Sequence, residues 1–128
     1  MSKNIKTVLI IFGSFLIIAS VTLKLENSFK KTECIKTKGV SYNAVIQNNV
    51  IVPSDITAKL CDTLTIINAD TVSRVMAFGK HESHISYAGT GETQLNKDQS
   101  LTIVLSQKGT YIFHDHNNED LKGTFTVN

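Results

Sequence analysis

Short apolar runs, rich in β-branched and aromatic side chains, recur from Tyr42 to the end of the chain, with polar and turn-forming residues between them. Their spacing predicts strands over residues 42–47, 50–52, 56–59, 63–68, 74–78, 100–106, 110–116 and 124–127. Turn chemistry separates them: Pro53-Ser54-Asp55, Asn68-Ala69-Asp70, Gly89-Thr90-Gly91, Asn96-Lys97-Asp98 and Lys108-Gly109. Eight short strands within ninety residues, with no repeat or low-complexity segment, predict an all-β sandwich. Residues 79–99 form the longest stretch without clear alternation and are expected to be a loop positioned by the sheet beneath it.

A different pattern opens the chain. Residues 7–23 carry no charge and follow Lys3 and Lys6, a run at the lower limit for a spanning helix and longer than the usual signal-peptide core. Small residues near a cleavage point are weak, at Ala19, Ser20 and Thr22, so an uncleaved transmembrane signal anchor is favoured over a cleaved signal peptide. With the short leading tail, the expected orientation is a cytoplasmic N-terminus and the rest of the chain outside, periplasmic or extracellular, on a single-pass cell-membrane protein. A buried core helix is disfavoured, because nothing later in the sequence offers an amphipathic helix to pack against it. The expected organisation is therefore residues 1–24 as anchor or signal, 25–38 as a polar, lysine-containing linker, and 39–128 as the sandwich domain.

Composition narrows the function classes. The chain has 128 residues, 41% of them hydrophobic, which is enough for one domain with a core. Its net charge is only +2, and its thirteen basic residues are dispersed apart from Lys30 and Lys31, with no aromatic-basic stripe. A nucleic-acid groove would lack both phosphate and stacking contacts, so no nucleic-acid partner is expected. No Ser-His-Asp order, phosphate-cradling glycine loop or paired-carboxylate arrangement is present, so no catalytic residues are assigned and the chain is expected not to be an enzyme. Gly89-Thr90-Gly91 is too short for a phosphate loop, and Glu119-Asp120 reads as a solvated turn.

Cys34 lies eleven residues beyond the apolar run, too far to be a lipidated cysteine at a signal's end. In an exported domain it can pair with Cys61, tying the segment before the first strand to an early strand; two buried thiols or a thiolate metal site are the other readings.

The histidines carry the candidate chemistry. All four fall in two tight pairs, His81 with His84 and His114 with His116. Alternate residues of a strand point to one face, about 6.6 Å apart, so His114 and His116 can direct ring nitrogens at one ion while Asp115 points the other way. His81 and His84 can share one helical turn, with Glu82 as an alternative ligand. A lone histidine is more often a surface or hydrogen-bonded residue than a ligand; the pairing is what raises His81, His84, His114 and His116 to metal candidates.

Two stretches together carry a family resemblance: Ile56-Thr-Ala-Lys-Leu-Cys-Asp-Thr-Leu-Thr-Ile-Ile-Asn-Ala-Asp70, and Gly109-Thr-Tyr-Ile-Phe followed by Leu121-Lys-Gly-Thr-Phe-Thr-Val127. They resemble the cupredoxins, the superfamily of plastocyanin and azurin, over roughly residues 42–127. The resemblance implies a Greek-key β-sandwich. It also implies a copper site of two histidines, a cysteine thiolate and an axial methionine, and here that set is lost. Carried over position by position, the first histidine falls on Arg74, the cysteine on Asp115, the second histidine on about Asn118 and the methionine on Leu121. Arg74 and Asp115 are expected to meet as an ion pair inside the vacated site. Phe113-His-Asp-His116 resembles the H-x-H strand motif of multicopper oxidases. His81-Glu-Ser-His84 resembles the H-x-x-H loop of a small group of exported cupredoxin-like proteins that pair it with a His-Asp-His strand.

The leading expectation is a membrane-anchored, exported cupredoxin-like domain that binds a transition metal, copper before zinc, through clustered histidines and without a blue-copper centre. Its role would be metal binding or trafficking, with no protein partner identifiable. A metal-free interaction module, whose ancestral site has decayed, is the alternative. A redox protein or oxidase is third, since four histidines in one domain cannot build a trinuclear copper cluster alone.

Overall fold

The computed structural model describes Cys34 and residues 39–128; the segments expected to form the anchor or signal and, apart from Cys34, the linker lie outside the described residues. Among the described residues no helix is long and apolar enough to cross a membrane. Ten strands follow in order: β1 Ser41–Gln47, β2 Val50–Val52, β3 Asp55–Ala58, β4 Thr63–Asn68, β5 Arg74–Lys80, β6 Ser83–Ile85, β7 Thr93–Leu95, β8 Ser100–Val104, β9 Gly109–Asp115 and β10 Asn118–Val127. All eight expected strands are present. Residues 79–99, expected as a loop, instead carry the end of β5 and the short strands β6 and β7, which, unlike the equally short Val-Ile-Val of β2, hold a single apolar residue each.

The strands form two mixed sheets, one in the order β2-β1-β4-β8, the other β3-β10-β9-β5-β6 with β7 also paired to β5. β1 runs parallel to β4 and β10 parallel to β3, while the remaining pairs are antiparallel. Alternation fixes the core. Ala44 and Ile46 of β1, Leu64 and Ile66 of β4, Met76 and Phe78 of β5, Phe113 of β9 and Phe125 and Val127 of β10 are all buried in one cluster. Phe78, Tyr87, Tyr111 and Phe125 pack within it edge to face or tilted, except that Tyr111 stacks on Phe125; the Phe78 and Phe125 centroids are 6.4 Å apart and nearly perpendicular. Gly123 is required here, because a Cβ at that position would stand 2.6 Å from the Phe113 ring and 2.7 Å from the Ser54 carbonyl.

Polar anchors hold the ends of this sandwich. Asp62, buried, accepts from the amides of Val40 and Lys59 at 2.8 and 2.7 Å, closing the turn before β4. Cys61 in that turn is disulfide-bonded to Cys34, so the bridge is the reading that holds, and no cysteine among the described residues is free. Asn68, fully buried, donates to the carbonyls of Val72 and Leu95 and accepts from the Asp70 amide, fixing the β4–β5 connection.

Candidate metal centre

The antiparallel registers of β5 set the site. On β5, Ala77 lies opposite His114 of β9 and Gly79 lies opposite His84 of β6, so the flanking strands present both histidines on the outer face, with only small residues between them. Strands two places apart in a sheet are separated by about 10 Å. With no bulky side chain on β5 at these positions, the two imidazoles meet above it, their Nε2 atoms 3.2 Å apart. Gly79 has φ of +89°, and a Cβ there would come 2.9 Å from the Ser83 carbonyl, so the β5–β6 hairpin needs glycine at this point.

That hairpin carries His81 in its turn and His84 in its second strand, which replaces the helical turn expected for the pair. Asp115 faces the interior, and His116, whose amide donates to the Val75 carbonyl at 2.7 Å, continues the outer face beyond the end of β9. His81 stacks on His116 with centroids 5.1 Å apart, and His84 stands 5.0 Å from both His114 and His116. One ring nitrogen from each of His81, His84 and His116 can be chosen so that all three lie within 4.8 Å of one another. His114 lies outside that group of three and contacts it from beneath, through His84. Exposure grades across the cluster, from exposed His81 through half-buried His84 and His116 to buried His114. Glu82, the alternative ligand, is exposed and is not part of the group.

Glu92 was not foreseen. It precedes β7 and accepts from His84 Nδ1 at 2.6 Å, with His116 Nδ1 3.8 Å from the same carboxylate oxygen. The His84 hydrogen bond holds the Glu92 carboxyl below its ordinary range, with the positive potential of the surrounding histidines adding to it. Eight residues from His84 along an irregular stretch, it offered no sequence signal; only the β5–β7 pairing brings it here.

Burial favours a neutral ring at His114. Burial pushes His114 below the usual histidine range, and His84, His81 and His116 push it the same way, against a hydrogen bond with the Gly79 backbone that favours the charged form. His84 is held on its Nδ1 side by Glu92, which leaves its Nε2 lone pair facing His114 Nε2 across 3.2 Å. His114 Nε2 can donate a proton into that contact, or the two nitrogens can turn their lone pairs to one cation. His116 Nδ1 is buried with no hydrogen-bond partner. The residues fit a transition-metal cation in ligand type and second-partner arrangement alike.

On the inner face, one residue along β9, the chemistry differs. Asp115, buried, accepts from Arg74 Nη1 at 3.1 Å, and from the amides of Val75 and Asn117 at 3.0 and 3.2 Å. Arg74 Nη2 donates to Asp70 at 2.6 Å and to Asn49 at 3.1 Å, and Asn118 donates to the same Asn49 oxygen. Burial opposes the charges of Asp70 and Arg74, but their mutual hydrogen bond and attraction outweigh it, lowering the carboxyl and raising the guanidinium. Leu121 is buried in the apolar core. The four positions where the resemblance sets a thiolate, imidazoles and a thioether thus hold a guanidinium–carboxylate pair, an amide and an alkyl chain. They do not fit a blue-copper ion.

No family model matches the sequence, and no curated protein matches it. Solved structures do. A purple cupredoxin from Nitrosopumilus maritimus superposes with a TM-score of 0.60 at 18% identity, covering 67% of this chain and 98% of that one. A reduced amicyanin variant gives a TM-score of 0.59 at 16% identity over 74% of this chain and 89% of that one. Another amicyanin variant, in its Cu(I) form at pH 4, gives 0.59 at 17% identity over 74% and 89%. The described domain therefore has the cupredoxin fold.

Proposed function

We propose that this cupredoxin-like domain binds one transition-metal ion through His81, His84, His114 and His116 on the outer face of the β9-β5-β6 sheet, and serves in metal binding or trafficking. Copper is the ion assigned, because the fold's solved neighbours include a Cu(I) protein and imidazole donors suit copper; zinc is the second choice. The observation that carries this reading is the approach of the His84 and His114 Nε2 atoms to 3.2 Å while His84 Nδ1 is already held by Glu92. Loss of the usual ligand set supports a site without thiolate, and so without the intense charge-transfer colour of blue copper. The role is binding, not catalysis. The proposal includes attachment to the cell membrane through residues 7–23 and an extracytoplasmic domain, which the apolar run supports.

A metal-free interaction module is favoured by one observation, the buried Arg74–Asp115 ion pair at two of the positions where the resemblance sets copper ligands. Titration of residues 33–128 with Cu(II) and Zn(II), beside a His114→Ala/His116→Ala double variant, separates the two. One ion bound by the parent and lost in the variant supports the metal reading. Equal binding by both, or none above background in the parent, overturns it; an intense blue thiolate band would overturn the ligand-loss argument.

A further inference from the structure

We infer that Glu92 is the positioning residue of the histidine cluster: its carboxylate fixes His84 as the Nδ1–H tautomer, so that Nε2 is the donor atom, and its charge favours a divalent over a monovalent ion. The inference rests on the metal-binding reading above and deepens it.

Placement comes first. Glu92 is half exposed, but the backbone that carries it is held on both sides. Upstream, Tyr87 is fully buried among Phe78, Tyr111 and Phe125, and its hydroxyl donates to the Gln107 carbonyl at 3.1 Å. Tyr87 and Thr90 exchange backbone hydrogen bonds of 3.0 and 2.9 Å. Downstream, β7 pairs with β5 from Thr93 opposite Met76 to Leu95 opposite Arg74. The carboxylate is thus delivered to the rim of the cluster by a braced segment, where it meets His84 at 2.6 Å and lies near His116 at 3.8 Å.

Chemistry comes second. A carboxylate has no proton to give near neutral pH, so His84 Nδ1 is the donor in this contact and its Nε2 carries the lone pair. A carboxylate behind a ligating histidine orients the ring and raises its basicity. One negative charge beside the ion also stabilises a doubly charged ion more than a singly charged one. An exposed ion pair with a purely structural role adds little to stability, and it would leave both the tautomer and the ion preference unchanged on removal.

The test uses metal-free, nitrogen-15-labelled domain in three forms: parent, Glu92→Gln and Glu92→Ala. Long-range proton–nitrogen correlation spectra report which His84 nitrogen carries hydrogen, and competition titrations with Zn(II) and Cu(I) report affinity. The expected result is the Nδ1–H tautomer in the parent, retained in Glu92→Gln and mixed in Glu92→Ala. Zn(II) affinity should fall about 10- to 100-fold in Glu92→Ala and less in Glu92→Gln. Cu(I) affinity should fall less than Zn(II) in both. An unchanged tautomer together with unchanged Zn(II) affinity in Glu92→Ala overturns the Glu92 assignment while leaving the metal site standing. A parent that binds neither ion overturns the metal-binding reading itself. Superimposable backbone amide spectra establish that all three forms are folded.

Discussion

His84 and His114 meet Nε2 to Nε2 at 3.2 Å across a strand that presents only Ala77 and Gly79 at those levels. Removal of either ring should therefore cost more than removal of His81, which is exposed in the hairpin turn. Zn(II) affinity is expected to drop roughly a hundredfold or more in His84→Ala and His114→Ala, beyond the usual loss for a supporting partner, and less in His81→Ala. Competition against a chelator of known affinity reads this. Equal losses at all three positions would contradict the graded geometry.

The metal-free domain should lose stability as the medium turns acid. His114 is held below its ordinary value near 6.5, chiefly by burial, so between that value and its folded-state pKa the unfolded chain binds the extra proton. Stability is then full above about pH 6.5 and falls as pH is lowered through the folded-state pKa. Urea unfolding with chelator present at pH 8, 6.5 and 5 measures the slope. His114→Gln should flatten it; a slope unchanged by that substitution would assign the effect to other groups.

Arg74→Met should be strongly destabilising, by about 3 kcal/mol, because it strands Asp115 and Asp70 without their cation. The lower end of the usual range applies, since two backbone amides still reach Asp115. Replacing both partners, Arg74→Met with Asp115→Leu, should recover much of that loss. Denaturant midpoints of the single and double variants decide it, and a neutral single variant would show that the pair contributes nothing.

Gly79→Ala should destabilise by more than 1 kcal/mol, about the cost of a left-handed non-glycine residue, with added strain from the Ser83 carbonyl. Metal affinity should fall with it, because His84 sits opposite this residue. Thermal melts and Zn(II) titration of the same variant test both halves; wild-type values in each would place the hairpin's conformation under other control.

Much of this was legible in the chain. Period-two alternation with β-branched residues identified the longer strands, because each buries one face in a single core. The strands β6, Ser-His-Ile, and β7, Thr-Gln-Leu, escaped where the equally short Val-Ile-Val of β2 did not, as each holds one apolar residue and its pairing with β5 is decided by the folded chain. His114 and His116 were readable as a pair because strand geometry is local, and so was the opposite facing of Asp115. His81 and His84 were found by spacing, but their hairpin was not, since its glycine at residue 79 gains meaning only beside Ser83 and Ile85. Glu92 left no local pattern at all; its role exists only once Tyr87 and β7 have bent the chain back over the sheet.

β6 is the last strand of its sheet, joined to β5 by only three residue pairs. An ion shared by His81 and His84 on this margin with His114 and His116 on β9 would act as a clasp across β5, closing an edge that otherwise rests on a short ladder. Amide exchange in Gly79 to Ile85 would slow on loading, so the occupancy of the site would be written into the opening rate of the hairpin as well as into any spectrum of the metal.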